Sequence, residues 1–223
     1  MLATLFPHWP MLSQELLECL GQTLTMVLVS GTLAWVLGVF FGMLLVVTKE
    51  GGLMPRPWLF HLVDRSIDIL RAIPFIILIV LLIPVSRFLL GTGSGVTGSF
   101  IALIVGTVPF FARQVESVVS DVPSALIEAS LAMGLPIRRI IVEVYLREAR
   151  IGIIRVTMIT FVSFIGISAI AGAIGAGGIG DFAIRYGYQL GYQDMMWLTV
   201  LIILAMISLV QAAGNLLIKR LSH

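Results

Sequence analysis

The stretch TLTMVLVSGTLAWVLGVFFGMLLVVT, from Thr23 to Thr48, contains no charged residue. An α-helix needs about 20 apolar residues to cross the hydrocarbon core of a bilayer, and this stretch is long enough. The composition of the whole chain also indicates a lipid environment. Of its 223 residues 59% are hydrophobic and 12% are charged, whereas a soluble domain has about 25% charged residues. The sequence therefore predicts an all-α, polytopic membrane protein that forms one domain over residues 1–223.

Four further apolar stretches bring the predicted number of membrane-spanning helices to about five. The second of them contains Pro74 and Pro84, which can kink a helix and would serve either as packing kinks or as a hinge. The five predicted spans are Thr23–Thr48, Ser66–Leu90, Val96–Val119, Val156–Gly180 and Met195–Ile218.

Lysine and arginine predict the orientation of these spans, because they are enriched on the cytoplasmic side of membrane proteins. If the segment after the first span is cytoplasmic, only Arg87 and Arg185 of the 14 basic residues fall outside, which leaves twelve on the cytoplasmic side. We therefore predict that the N-terminus lies outside and the C-terminus lies in the cytoplasm.

The longest predicted cytoplasmic segment, residues 120–150, has the pattern of two short helices. Asp121 and Pro123 favour a helix start, because proline is well placed in a first turn. Gly134 interrupts this helix, and a second one is predicted from Ile137 onwards.

The first of these helices carries small and apolar side chains along one face. Such a helix can enter a groove on a partner protein, but an amphipathic connector at the membrane surface shows the same periodicity. Periodicity alone leaves both interpretations open. The residues of this face are Ala125, Leu126, Ala129, Ala132 and Met133.

The spacing of Glu128-Ala129-Ser130, Gly134 and Val144-Tyr145-Leu146 resembles the EAA loop of ABC importer permeases. In that family the loop forms a coupling helix that docks onto an ATPase subunit. Arg147 stands where the family pattern has a proline. The resemblance implies ATPase contacts at Ala125, Glu128, Ala129, Ser130, Met133 and Gly134.

Three other blocks, Arg71–Leu78, Val105–Arg113 and Ala173–Asp181 followed by Arg185–Tyr188, are similar to the permeases of methionine importers. The resemblance implies a type I ABC importer permease in a bacterial cytoplasmic (inner) membrane. It also implies a homodimer with the path at its two-fold axis, two ATPase subunits, a substrate-binding protein and methionine as cargo. Another amino acid or a small peptide is the alternative cargo.

The glycine-rich segment Gly172–Gly180 does not have the pattern of a phosphate-binding loop. That loop needs Gly-Lys-Ser/Thr, but Lys49 and Lys219, the two lysines of the chain, are followed by Glu50 and Arg220. We therefore predict no ATP or Mg²⁺ site in this chain, with both bound by a partner ATPase. We interpret the glycines as helix-packing residues and an outer turn, and contact of this turn with a substrate-binding protein is the alternative.

The rest of the composition excludes several function classes. The single cysteine, Cys19, cannot form an intrachain disulfide, and the three histidines lack the spacing of a zinc site. A net charge of +2 with no basic run gives no reason to expect nucleic-acid binding. We therefore predict no metal site, and the resemblance to ABC importer permeases implies a non-catalytic permease subunit.

No ionisable residue is predicted in the middle of a span, and Asp68 and Arg71 are expected near a membrane boundary. This counts against a proton-driven transporter and an intramembrane protease, although a channel or a transporter that works alone remains the alternative from another class. The translocation path is predicted along the fourth span, at Met158, Phe161, Ser163, Gly166 and Ser168.

Overall fold

The computed structural model describes residues 6–221, which form a bundle of helices with no strand among them. By length and composition four helices could cross a membrane, and a bent pair of helices could supply a fifth crossing. The predicted all-α fold with about five spans is confirmed. The principal helices are α1 Trp9–Thr48, α2 Pro57–Ala72, α3 Phe75–Leu90, α4 Gly95–Ser120, α5 Ser124–Ala132, α6 Arg150–Ala171 and α7 Gln193–Leu221.

Helix α1 begins 14 residues earlier than the predicted span. Its 40 residues make it about 60 Å long, which exceeds the roughly 30 Å hydrocarbon core. The added turns are stabilised by burial, because Leu12, Leu16 and Cys19 pack with Phe182 and Met195.

The predicted second span, Ser66–Leu90, falls on the bent helix pair α2 and α3, and the kink that Pro74 allows is present. The chain bends by 111° between α2 and α3. The residue before a proline is driven out of the helical region, and Ile73 has an extended backbone with φ −80° and ψ 122°. Pro84, in contrast, lies inside α3 without ending it.

The core of the bundle is built where α1 meets α4. Gly38 and Gly42 of α1 face α4, and a Cβ atom on Gly42 would lie 2.6 Å from the carbonyl oxygen of Ala112. The two backbones therefore approach closely, as small residues allow in membrane helix pairs. Phe111 and Val115 of α4 are fully buried beside this contact.

The glycine-rich segment folds back against α1, as the interpretation of packing glycines and a turn predicted. The backbone N–H of Gly178 donates to Oε1 of Gln22 at 2.7 Å, and the N–H of Ile179 donates to Oγ1 of Thr23 at 2.8 Å. Gly178 has a φ of +82°, which few side chains allow.

Polar contacts mark the two ends of the bundle. At one end, called here the loop end, Lys49 Nζ donates to Oγ of Ser120 at 3.1 Å and Arg150 donates to the carbonyl of Leu221 at 3.2 Å. At the opposite end Arg185 pairs with residues of two segments, at 3.0 Å from Glu15 and 2.7 Å from Asp181.

Candidate functional site

Helix α5 lies at the loop end and is anchored by two buried residues. Ile127 packs in one cluster with Met43 and Val47 of α1 and Val119 of α4. Ser130 is 5% exposed, and its hydroxyl donates to the carbonyl of Leu126 at 2.7 Å. One face of this helix is therefore fixed to the ends of two long helices.

The opposite face of α5 is exposed and partly apolar. Met133 is 73% exposed and Leu131 is 48% exposed, although water at this end would favour burying both. Exposed apolar residues grouped in this way are typical of a surface that contacts another protein. Of the six residues predicted to contact an ATPase, Ser130 is buried, and the exposed ones are Ala125, Glu128, Ala129, Met133 and Gly134.

Gly134 ends α5 with a Schellman motif. Its φ is +75°, its N–H donates to the carbonyl of Leu131 at 2.9 Å, and the N–H of Leu135 donates to the carbonyl of Ser130 at 3.1 Å. This is the paired hydrogen-bond pattern of a helix stop that requires a left-handed residue. A Cβ atom on Gly134 would meet no atom within 4 Å, so conformation alone selects glycine.

The second predicted helix is present, but it contains wider, π-type turns over Ile140–Tyr145. Ile140 and Tyr145 are buried in the cluster that holds α5, and burial raises the pKa of the Tyr145 phenol. Arg147 is exposed, and nothing in the structure explains why it takes the place of the family's proline.

The five residues predicted to line a path do not share one face of α6. Ser163 and Gly166 lie on its open side, together with the exposed Arg155. Ser168 is 1% exposed and donates to the carbonyl of Ile165 at 2.8 Å, so it faces the bundle interior.

Met158 and Phe161 turn toward a different part of the bundle. They line an apolar cavity of about 490 Å³ between α1, α6 and α7, which Trp35 and Gly214 also line. Met158 also borders a more polar cavity of about 620 Å³ that contains Arg155, Gln211 and Asn215 as well as Ser163. Ser163 and Met158 are therefore the predicted path residues that adjoin charged and amide groups.

A cavity of about 440 Å³ lies at the α2–α3 corner and includes Arg71, Gly106 and Ser163. Gly106 and Ser163 lie near the middles of α4 and α6, so the cavity that Arg71 borders reaches further into the bundle than a helix end. The sharp bend at Pro74 places Arg71 beside this cavity. Sequence reasoning missed it because a straight helix over Ser66–Leu90 would carry Arg71 toward one end.

Arg113 ties α2 to α4 next to this corner. Its guanidinium lies 2.5 Å from Asp64, 2.9 Å from Asp68 and 2.8 Å from Glu116. An arginine with three carboxylate partners is held in one place by charge-assisted hydrogen bonds. The contact fixes α2 in the orientation that directs Arg71 into the cavity.

Comparison with known proteins places this helix arrangement in a family. Residues 34–223 match the family described as "Binding-protein-dependent transport system inner membrane component". The "Probable D-methionine transport system permease protein MetI" of Vibrio cholerae is 36% identical over 211 residues, covering 95% of this chain and 94% of the relative. The "D-methionine transport system permease protein MetI" of Escherichia coli is 41% identical over 133 residues, which are 60% of this chain and 61% of the relative.

Solved structures agree with the family. A structure described as "Inward facing conformations of the MetNI methionine ABC transporter" has a chain 37% identical to this one, with a TM-score of 0.89 over 93% of this chain and 96% of that chain. A structure of "an amino acid ABC transporter with histidines" is 18% identical with a TM-score of 0.75, and so it supports the fold alone. The resemblance to methionine importer permeases is confirmed. The chain belongs to the family of binding-protein-dependent transport system inner membrane components.

Proposed function

We propose that this chain is the permease subunit of an ATP-driven importer and that its cargo is methionine. Family membership supports the role of permease, and the names of the Vibrio cholerae and Escherichia coli relatives support methionine. The protein does not hydrolyse ATP in this proposal, and ATP and Mg²⁺ are bound by a partner ATPase.

The observation that carries this proposal is the two-sided helix α5. Its exposed side, with Met133, is suited to a groove on the ATPase. Its buried side, with Ile127, rests on the ends of α1 and α4. Closure of the ATPase dimer would press on the first side, and the second would transmit the movement to the spanning helices.

Two copies of the chain form the translocation unit in this proposal. Five spans are few to enclose a path, and a closed two-fold arrangement is the commonest way for identical subunits to assemble. Helix α7 exposes large apolar side chains over most of its length, which either lipid or a second copy would cover. A substrate-binding protein delivers the cargo at the end of the bundle opposite to α5.

In the proposed orientation the loop end faces the cytoplasm. Lys49 and Arg150 lie at this end with α5, whereas Arg185 lies at the other. This distribution agrees with the enrichment of basic residues on the cytoplasmic side. The first five residues lie outside the described part of the chain.

The deciding experiment is uptake into vesicles that contain the permease, the ATPase and the binding protein. We expect labelled methionine to accumulate only with ATP, and excess unlabelled methionine to compete better than other amino acids or short peptides. Accumulation without the ATPase would contradict the proposal and favour a transporter that works alone. Preferential competition by another amino acid would retain the importer and change its cargo.

A further inference from the structure

Arg71 lies at the end of α2 and borders a cavity that the spanning helices α4 and α6 also line. Counted from the start of each helix, Gly106 is the twelfth of the 26 residues of α4, and Ser163 is the fourteenth of the 22 residues of α6. At 1.5 Å per residue both lie roughly 20 Å from the helix start. Arg71 shares a cavity with these two residues, and so the cavity that it borders reaches the middle of the bundle.

A guanidinium beside such a cavity must face water or a polar group. Arginine keeps its proton under all physiological conditions, and exposure of its charge to lipid at the bilayer centre costs several kcal/mol or more. Charged groups inside membranes therefore mark pathways for substrates or ions. The cavity beside Arg71 is open on one side, which gives a ligand access to it.

The guanidinium of Arg71 has hydrogen-bond donors to spare. Its nearest carboxylate oxygen, on Asp68, lies 3.7 Å from Nη1, beyond hydrogen-bond distance. Asp68 is itself bound by Arg113 at 2.9 Å. The Arg71 side chain is 43% exposed, and within residues 6–221 it makes no hydrogen bond, so its planar donor pair is open to a carboxylate.

The rest of the cavity lining is suited to contact the side chain of a small apolar amino acid. Phe75, Leu78 and Phe110 line it with apolar surface, and Ser163 adds a hydroxyl. Its volume of about 440 Å³ lies in the usual range of ligand pockets. None of its lining residues is acidic, and the nearest carboxylate, Asp68, lies outside the lining at 3.7 Å from Arg71 Nη1.

We propose that Arg71 binds the α-carboxylate of the cargo as it passes through the permease, while the cavity wall of Phe75, Leu78 and Phe110 contacts its side chain. This inference rests on the proposed function, because it takes the cargo to be an amino acid. The acidic groups nearby, Asp64, Asp68 and Glu116, surround Arg113. The carboxylate therefore meets Arg71 from the cavity side.

The first test measures the charge preference of the cavity without transport. In a Cys19→Ala background, Ser163→Cys in the assembled complex is reacted with an anionic and a cationic methanethiosulfonate. We expect Arg71→Gln to lower the ratio of the anionic to the cationic rate by about tenfold, since one unit charge at a spacing of several ångströms is removed. Arg71→Lys should keep most of the ratio, and Ile167→Cys serves as a second reporter if Ser163→Cys does not assemble.

Two controls separate ligand attraction from a structural role. Arg65→Gln removes a charge from the exposed surface of the same helix, away from the cavity lining, and should leave the ratio as in the parent. Asp68→Asn keeps Arg71 but removes its acidic neighbour, and it should raise the ratio. The proposal would be overturned if the ratio of the anionic to the cationic rate were unchanged in Arg71→Gln or fell in Asp68→Asn.

The second test measures methionine transported per ATP hydrolysed in vesicles with the complete importer. We expect Arg71→Gln to lower this value at least tenfold and Arg71→Lys to restore most of it. If wild-type vesicles take up methionine and Arg71→Gln matches them, the carboxylate contact is wrong although the proposed function holds. If wild-type vesicles take up no methionine, the proposed function fails, and the charge preference of the cavity still decides whether Arg71 attracts anions.

Discussion

Replacement of Gly134 tests whether the end of α5 must keep its shape for coupling. The backbone of Gly134 has φ +75°, and the left-handed region costs an ordinary L-residue about 1–2 kcal/mol, and a β-branched residue more. No atom lies within 4 Å of an added Cβ, so the cost is purely conformational. Relaxation to a negative φ would break the two closing hydrogen bonds of the Schellman motif, at about 1 kcal/mol each.

We therefore expect a graded series in which Gly134→Asn is mildest, Gly134→Ala is intermediate and Gly134→Val is most severe. Asparagine tolerates the left-handed region better than other residues do. Either route costs about 1–2 kcal/mol, which is enough to unwind the last turn of a nine-residue helix that has little intrinsic stability. The readouts are co-purification with the ATPase and methionine taken up per ATP, with membrane insertion retained in every variant.

Gly91→Val is the matched control for this series. Gly91 has φ +76°, caps α3 and would likewise place a Cβ in open space, but it lies at the end of α3 far along the chain from α5. The same strain is therefore introduced away from α5, and coupling should stay close to wild type. Full uptake per ATP in Gly134→Val, or an equal loss in Gly91→Val, would refute the reasoning.

Three further predictions use exposure and packing. In a Cys19→Ala background, a membrane-impermeant thiol reagent applied from the cytoplasmic side should label Ser124→Cys but not Ser94→Cys, because both sites are exposed and lie at opposite ends of the predicted topology. The reverse labelling pattern would contradict the predicted topology. Met133→Asp should weaken ATPase association about tenfold or more, because an exposed apolar contact of about 1.5–3 kcal/mol is replaced by a charge; equal binding in a pull-down titration would remove this residue from the interface. Gly42→Ala should lower the melting temperature of the purified permease, because its Cβ would overlap the Ala112 carbonyl at an overpacking cost of about 1–3 kcal/mol, whereas Gly21→Ala on the open side of α1 should not.

The number and type of the helices could be predicted from the sequence, because hydropathy and length determine which segments enter a bilayer. The helix break at Gly134 was also predictable, since a left-handed helix stop strongly favours glycine. The bend at Pro74 was not, because Pro74 and Pro84 look alike in sequence. Only the tertiary structure shows that one ends a helix and the other lies inside one.

Some features of the candidate site could likewise be predicted from the sequence, and others could not. Glu128 and Met133 are exposed on α5, as predicted, and Ser130 alone of the six residues predicted to contact an ATPase is buried. On α6 the prediction selected small and polar residues without assigning them to faces. Ser168 and Ser163 are five residues apart, which on a helix of 3.6 residues per turn places them on different sides. Arg71 was missed because its place beside the cavity depends on the bend.

The contacts also connect α5 to the Arg71 cavity through packed groups. Ile127 of α5 shares a cluster with Val115 and Val119 of α4, and these residues flank Glu116, which binds Arg113. Arg113 in turn holds Asp68 of α2 at 2.9 Å, one helical turn before Arg71. A displacement of α5 that moves the end of α4 therefore also moves the anchor that positions α2. Since packed cores shift between discrete arrangements and do not deform continuously, we expect a movement of α5 to reach α2 and Arg71 through these contacts.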